Sequence, residues 1–313
     1  MEFIRSQLIE TGKLTYPSTS YFGQTIVITG SNTGLGKEAA RHYAGLGAKR
    51  LILAVRNLEK GEAAKEDIAT TAAAGVDIQV WEIDMAQPSS IKAFATRLEG
   101  ELDRVDIFHA NAGLVSATYK EVQGFGAKGV EMDIAISHIA TYLLVALVLP
   151  KLKSTATEHS IRPTLVITGS GAHRHTQFPQ KSEPNLLEVY PLSKLLGVFA
   201  LRSIAEEYPS YPVTINAVSP VLCHSNLSRE AKGLQKVAFG LMETVLARTT
   251  EQGSRTLVAA RIAGPKSHGQ YLEDCNVGEP SDVVAQNPDV AKRLWIDLEA
   301  KLEEIQPRVT DNF

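Results

Sequence analysis

Between Thr25 and Gly47 the chain passes from five β-branched and apolar residues, TIVIT, through a turn holding Gly30, Gly34 and Gly36, into KEAARHYAGLG. A strand, a glycine-rich turn and a helix in that order leave few folds open. Glycines in such a turn serve the tight bend, the approach of a phosphate to the backbone, and the packing of helix on strand. The helix start adds unpaired N–H groups and the positive end of its dipole, so the segment predicts a seat for a pyrophosphate. A glycine turn can also be a plain connection; the flanking strand and helix favour the binding reading.

Five further apolar, β-branched runs recur: Leu51–Val55, Ile78–Ile83, Asp106–His109, Thr164–Thr168 and Val213–Val218. The stretches between them are rich in Ala, Glu, Lys and Leu. Buried strands alternating with helices imply a parallel sheet covered on both faces. Right-handed crossovers reduce the choice to a doubly wound α/β sheet of the Rossmann type, of about seven strands. The expected organisation is an extension over residues 1–22, one Rossmann-type domain over 23–275 and a helical tail over 276–313. Glu131–Pro150 predicts the longest helix, with Ile136, Ile139, Ala140, Leu143 and Leu147 at steps of three and four. It is apolar nearly all round, which places it in the core or partly against a second subunit. Pro150 is expected to end it. Gly264–Glu279 reads as loop and Pro288–Ile305 as an amphipathic closing helix.

Composition excludes several classes. The 313 residues carry 32 basic and 35 acidic side chains, a net charge of −3 without a Lys/Arg cluster, which argues against a nucleic-acid partner held by bulk electrostatics. Two cysteines, Cys223 and Cys275, make neither a disulfide framework nor a four-thiolate zinc site, and a reduced compartment is the simpler reading. MEFIRSQLIETGK has no apolar core of signal-peptide length, so a cytoplasmic location is expected. The run from Ile134 to Pro150 is interrupted by Ser137, His138 and Thr141, too polar and too short for a membrane span.

An NAD-selective site places Asp or Glu at the end of the second strand, against the ribose 2′-OH. Here the strand ends Val55-Arg56-Asn57. No carboxylate repels a 2′-phosphate, and the Arg56 guanidinium suits one in forked geometry, so the reading is NADPH/NADP+. The alternative is a solvated surface arginine.

The spacing T-G-x-x-x-G-x-G over Thr29–Gly36 resembles the short-chain dehydrogenase/reductase family, and the resemblance extends from about residue 22 to about residue 275. It implies a small-molecule substrate and a cofactor turn made of Gly30, Asn32, Thr33, Gly34, Leu35 and Gly36. Asp84 and Met85 resemble the adenine-binding pair after the third strand, and Asn111-Ala112-Gly113 the motif beside the adenine ribose. Tyr190-Pro191-Leu192-Ser193-Lys194 matches the family's Y-x-x-x-K. The A-V-R-N and S-G-A-H segments resemble the retinol-dehydrogenase-like branch, and S-H-G-Q-Y-L-E-D-C resembles fungal members, many of them acting in secondary metabolism.

Residues four apart lie on one helix face, so Tyr190 and Lys194 are neighbours. An ordinary phenol has a pKa near 10, and a nearby ammonium stabilises the phenolate, so Lys194 is expected to lower the Tyr190 pKa. The resemblance implies that Tyr190 exchanges a proton with the substrate oxygen, that Lys194 also holds the nicotinamide ribose, and that hydride leaves the B face of the nicotinamide. It assigns Ser170, at the end of the fifth strand, to polarising the substrate carbonyl. The plain alternatives are an exposed helix pair and a serine capping a turn. Twenty positions separate Ser170 from Tyr190. The loop between carries His173, Arg174 and His175 without matching carboxylates or thiolates; it reads as a pocket rim or solvated loop, not as a metal site.

Two residues depart from the family. Ser137 stands where the family's Asn kinks the long helix so that a main-chain carbonyl holds a relay water touching the lysine; a serine can bond back to its own helix but lacks the amide's donors, which puts the proton relay in question. His138 is its neighbour. After the sixth strand, Pro220-Val221-Leu222-Cys223-His224-Ser225 replaces Pro-Gly-x-x-x-Thr. Ser225 retains a hydroxyl for the nicotinamide carboxamide, as Pro220 and Leu222 retain their places. Val221 replaces a glycine, so a shifted loop is expected. Residues 221–250, with Leu227, Leu234, Phe239, Leu241 and Met242, resemble the family's substrate lid, and their apolar content favours a bulky apolar substrate. The leading expectation is an NADPH-dependent carbonyl reductase. The alternatives are a non-redox isomerase, cyclase or dehydratase on the same scaffold, and a non-catalytic NADPH-binding partner. The family often pairs subunits through the helices beginning near Glu131 and Tyr190, so a homodimer is possible.

Overall fold

The computed structural model describes residues 5–7, 9–116, 118–176, 178, 186–224, 244 and 246–313. Its strands are β1 (Thr25–Thr29), β2 (Arg50–Val55), β3 (Asp77–Glu82), β4 (Ile107–Ala110), the short pair β5 (Glu121–Val122) and β6 (Val130–Glu131), β7 (Thr164–Thr168), β8 (Thr214–Ser219), β9 (Tyr271–Glu273) and β10 (Asn276–Gly278). Its main helices are α1 (Gly34–Gly45), α2 (Leu58–Ala69), α3 (Pro88–Glu101), α4 (Thr141–His159), α5 (Leu186–Glu207), α6 (Thr250–Ile262), α7 (Asp282–Gln286) and α8 (Pro288–Ile305). The six expected strands all form, within one residue of the limits read from sequence.

The main sheet has the order β10-β9-β8-β7-β4-β1-β2-β3. Every pairing in it is parallel except β9 with β10. Among the described residues the doubly wound sheet has eight strands, against about seven expected, and is mixed at one edge. The additional pair lies inside Gly264–Glu279, which the sequence presents as loop. Tyr271 and Leu272 are fully buried, and β9 docks beside β8 with Ala217 opposite Tyr271. Strands of three residues carry too little periodicity to be read locally; tertiary burial makes them.

Alternate residues of a strand face opposite sides. Ile26 and Ile28 of β1 pack with Ala39, Tyr43, Ile68, Leu257 and Val258, so α1, α2 and α6 cover one face. Val27 packs in the other core with Phe94, Tyr142, Leu195 and Trp295, so α3, α4, α5 and α8 cover the second. α8 has the limits expected for the closing helix. The extension runs along the first face, where Tyr21 is buried edge-on against Tyr43 at 4.7 Å.

Pro150 does not end the long helix: α4 continues through it to His159. A mid-helix proline costs about 3 kcal/mol. Val148, Leu149 and Leu152 on both sides of it are fully buried, at about 1.5–3 kcal/mol each, and their burial outweighs that cost. The continuous helical stretch Met132–His159 is long and apolar enough to cross a membrane, longer than the sequence run suggests, but 83% of its apolar window is buried inside the fold. Its apolarity is that of a core helix.

From β1 the chain winds outward through β2 to β3, then returns to β4 and winds the other way. The carboxyl ends of β1 and β4 therefore flank the crevice at which such sheets bind ligands.

Candidate active site

The glycine turn leaves the carboxyl end of β1 and enters α1. Gly30 and Gly34 have φ of +67° and +60°, a region that residues with a Cβ avoid. At Gly36 the reason is space: a Cβ would lie 2.6 Å from Asn111 Nδ2 and from the Gly30 carbonyl oxygen. Thr33 is the N-cap of α1 in extended conformation, with Asn32 before it and Leu35 inside the first turn. The α1 amides thus open toward the crevice, and the cradle fits a pyrophosphate.

Asn111 ties three strands together at this end. Its Nδ2 donates to the Thr29 carbonyl (2.9 Å), its Oδ1 accepts from Thr168 Oγ1 (3.1 Å), and its N–H and that of Ala112 donate to Thr29 Oγ1 (2.9 and 3.0 Å). Asp84 follows β3 and caps its own turn, accepting from the Ala86 N–H at 2.9 Å, beside buried Met85. Arg56 is exposed at the carboxyl end of β2, on the cofactor side of the sheet.

Ser170 follows β7 and caps a 3-10 turn, Gly171–His175, accepting from the Ala172 N–H at 3.2 Å. Tyr190 and Lys194 lie one turn apart on α5. The Tyr190 hydroxyl and the Ser170 side chain are close enough to interact. The Lys194 ammonium donates to the Thr168 carbonyl at 3.1 Å and stands 5.6 Å from the Tyr190 ring centre. Gly113 abuts this group: a Cβ there would lie 3.8 Å from both Lys194 Nζ and Ser137 Oγ. The three expected catalytic groups, the glycine turn and the Asn-Ala-Gly segment thus converge on one crevice.

The electrostatics differ from expectation. Burial pushes the Tyr190 phenol up to about 12, the Ser170 side chain opposes it, and the Asp133 carboxylate adds to it. The lysine does not win here because it is itself desolvated: burial lowers Lys194 to about 8, against the pull of Asp133. Tyr190 is therefore protonated at neutral pH and Lys194 still predominantly charged, the states required of a proton donor and its cation.

Asp133 is a residue the sequence reading missed. It is 1% exposed, and both its oxygens accept from the Ser116 N–H at 3.2 Å. No local motif announces it; only the packing of its helix against α5 brings it near Lys194.

Ser137 lies in a π-helical turn, Ala135–Ala140, between the short helix Met132–Ile134 and α4. Its buried hydroxyl has no hydrogen-bond partner among the described residues, so it does not bond back to its helix as expected. The wide turn instead frees the Ile136 carbonyl, which accepts from Thr141 Oγ1 at 3.0 Å. Such turns occur at functional sites. His138 is buried edge-on against Tyr142, and burial lowers it to about 4.

Val221 has φ +63°, in the left-handed region that favours glycine, so the loop after Pro220 carries backbone strain at this valine. Its N–H donates to Ser219 Oγ at 3.2 Å. Leu222 is half-buried. Ser225, Leu227, Leu234, Phe239, Leu241 and Met242 lie outside the described residues. The stem of that segment is described: Cys223 bridges to Arg248, whose fully buried guanidinium meets Asp274, the Ser6 carbonyl (2.8 Å) and Thr11 Oγ1 (2.8 Å).

The loop after Ser170 is neither rim nor solvated at its start. His173 is fully buried, Arg174 pairs with Glu273 at 2.9 Å, and only His175 is exposed. Among the described residues no three His, Cys, Asp or Glu side chains gather as a metal set.

Comparison with known proteins agrees with this geometry. The short chain dehydrogenase profile matches residues 24–235. The chain is similar to the short chain dehydrogenase/reductase dmxR8 of Cryptosporiopsis sp., with 48% identity over the full length of both. It is also similar to the short-chain dehydrogenase anuD of Penicillium roqueforti, with 34% identity over 99% of this chain and 84% of that one. Among solved structures it is similar to a short-chain type dehydrogenase/reductase from Mycobacterium marinum (TM-score 0.63, 21% identity, 81% of this chain and 94% of that one). It is likewise similar to Pseudomonas aeruginosa RhlG in an active-site complex with NADP (TM-score 0.64, 17% identity, 83% and 97%). These structural likenesses share the fold described above.

Proposed function

Because this chain belongs to the short-chain dehydrogenase/reductase family, we propose that it is an NADPH-dependent reductase of a carbonyl group on a bulky, largely apolar small molecule. The observation that carries this reading is the grouping of Ser170, Tyr190 and Lys194: Tyr190 lies one helical turn from Lys194, whose ammonium bonds the Thr168 carbonyl at the end of β7, two residues before Ser170.

The residues fit the cofactor. Gly30, Asn32, Thr33, Gly34, Leu35 and Gly36 would hold the pyrophosphate, Asp84 and Met85 the adenine, Arg56 the 2′-phosphate, and Lys194 the nicotinamide ribose. Asn111, Ala112 and Gly113 would form the floor of the site, and Pro220 and Leu222, with Ser225 by the family resemblance, would meet the nicotinamide. Bound NADPH supplies the hydride that the carbonyl carbon accepts. Ser170 donates a hydrogen bond to the carbonyl oxygen and polarises it. Tyr190, held protonated by burial, gives its proton to that oxygen as the alcohol forms. The Lys194 ammonium stabilises the phenolate left behind, and Asp133 helps to keep that ammonium charged.

The A-V-R-N and S-G-A-H segments support a place in the retinol-dehydrogenase-like branch. The similarity to relatives from Cryptosporiopsis and Penicillium supports a biosynthetic intermediate as substrate, and the cytoplasmic location rests on the sequence reading alone. A non-redox isomerase, cyclase or dehydratase draws on Val221 and Ser137, which depart from the redox geometry of the family. The deciding experiment counts NADP+ formed per product across bulky ketones, aldehydes and quinones. One NADP+ per alcohol supports the reductase; product without NADPH consumption refutes it. Arg56→Ala is expected to weaken NADPH binding at least about tenfold while leaving NADH binding unaltered, the loss of one charge-assisted pair.

A further inference from the structure

His173 joins the backbone of Ser170 to the segment that follows the last strand. Its Nδ1 lies 2.7 Å from the Ser170 carbonyl oxygen, and its Nε2 lies 3.0 Å from the backbone nitrogen of Ser281. A carbonyl only accepts and a backbone N–H only donates. The ring is therefore the neutral tautomer with hydrogen on Nδ1, donating to Ser170 and accepting from Ser281. Its full burial and its edge-on contact with Tyr271 at 4.8 Å agree with a neutral ring. The same Ser170 carbonyl also accepts from the His173 N–H at 3.3 Å. A second tie runs in parallel: Arg174 bonds Glu273 at 2.9 Å and donates to the Glu279 carbonyl at 2.6 Å. On the other side, the Gly171 N–H donates to Ser219 Oγ at 3.1 Å. Ser170 is thus held through its carbonyl by a side chain whose far end is fixed by Ser281, the N-cap of α7.

From this arrangement we infer that His173 is a positioning residue: it fixes the backbone of Ser170, and hence the aim of its hydroxyl, and it does so only while the segment Glu279–Ser281 is docked. The carboxyl-terminal segment is by this account part of the active site, through one imidazole. The inference rests on the role of Ser170 proposed above.

The test is a double-mutant cycle on the full chain, with kcat, KM and NADPH affinity measured for a ketone that the wild type reduces. His173→Phe keeps a ring against Tyr271 and makes neither bond. A misaim of about 1 Å costs about 100-fold in rate, so kcat is expected to fall about 10- to 100-fold, with NADPH affinity within about threefold of wild type. In a Ser170→Ala background the same change should cost less than about twofold, because residues acting through one group are not additive. If His173→Phe lowers kcat by the same factor in both backgrounds, or not at all, the inference is overturned. If Ser170→Ala alone retains full kcat, the assignment of Ser170 itself fails, in a separate arm of the cycle. Should His173→Phe lose NADPH binding, His173→Asn, which keeps a donor near Nδ1 but is too short to bring its amide oxygen to the Ser281 N–H, replaces it with the same outcomes. The far end is tested by Ser281→Pro. Ser281 has φ −54°, which proline adopts, so this change removes the N–H with little backbone strain. Read against Ser281→Ala, which keeps the N–H and loses only the cap on Val283, it should reproduce the kcat loss of His173→Phe; equal kcat in the two overturns the link to the carboxyl-terminal segment.

Discussion

Arg248 offers a sharp test of how the amino-terminal extension is held. Its side chain is 0% exposed and meets the carboxylate of Asp274, which is 18% exposed. The guanidinium also donates to the Ser6 carbonyl and hydroxyl, to Thr11 Oγ1 and to the Pro220 carbonyl. One buried cation thereby joins the extension, the loop after β8 and the turn between β9 and β10. Replacing Arg248 by Met keeps much of the volume and leaves Asp274 without its cation. Removing one partner of a buried pair costs about 3–5 kcal/mol. Unfolding entropy is about 2.1 cal/mol/K per residue, so 313 residues give about 0.7 kcal/mol per kelvin. The melting temperature should fall by about 4–7 °C. Asp274→Asn in the Arg248→Met background should restore part of that loss, because the stranded charge is gone. Calorimetry on the two single variants and the double variant measures both. A drop below about 1.5 °C for Arg248→Met, the behaviour of a surface pair, or a double variant as unstable as the sum of the singles, refutes the reasoning.

Two further predictions concern backbone and protons. At an ordinary position glycine is less stable than alanine by about 0.5–1 kcal/mol; at Val221, where φ is +63°, the order should reverse, because left-handed backbone costs an L residue about 1–2 kcal/mol. Val221→Gly should therefore melt above Val221→Ala by about 1 °C in calorimetry, and the ordinary order would contradict the strain. His109, His138 and His173 are held neutral by burial, with pKa values lowered to about 3, 4 and 4. Their folded values lie below the ordinary value near 6.5, so the unfolded chain takes up protons first as pH falls. The stability they contribute is complete above pH 6.5 and is lost toward pH 4, at about 1 kcal/mol per histidine between pH 6 and pH 5. Denaturant titrations at those two pH values measure it; equal stability would show that these imidazoles are not held neutral.

Most of the sheet and the centre of the site were legible because their signals are local. A strand of five β-branched residues, three glycines within seven positions and a Tyr–Lys pair one turn apart each fall within a single window of sequence. What escaped depends on contacts between distant segments. Asp274 lies 26 residues from Arg248, and Ser281 lies 108 from His173, so neither partner marks the other. The π turn at Ser137 is a register shift with no composition of its own. Pro150 misled because its local cost was read without the burial on either side. The Tyr190 expectation counted the neighbouring charge and omitted the desolvation that sets the balance.

The central claim is that Tyr190 donates the proton from a site that binds the cofactor without it. The direct measurement is single-turnover NADPH oxidation by Tyr190→Phe beside the wild type, on one ketone, with NADPH affinity determined separately. The account predicts affinity within about threefold and a rate lower by at least about 100-fold, the usual contribution of a positioned acid. Full turnover by Tyr190→Phe would contradict it.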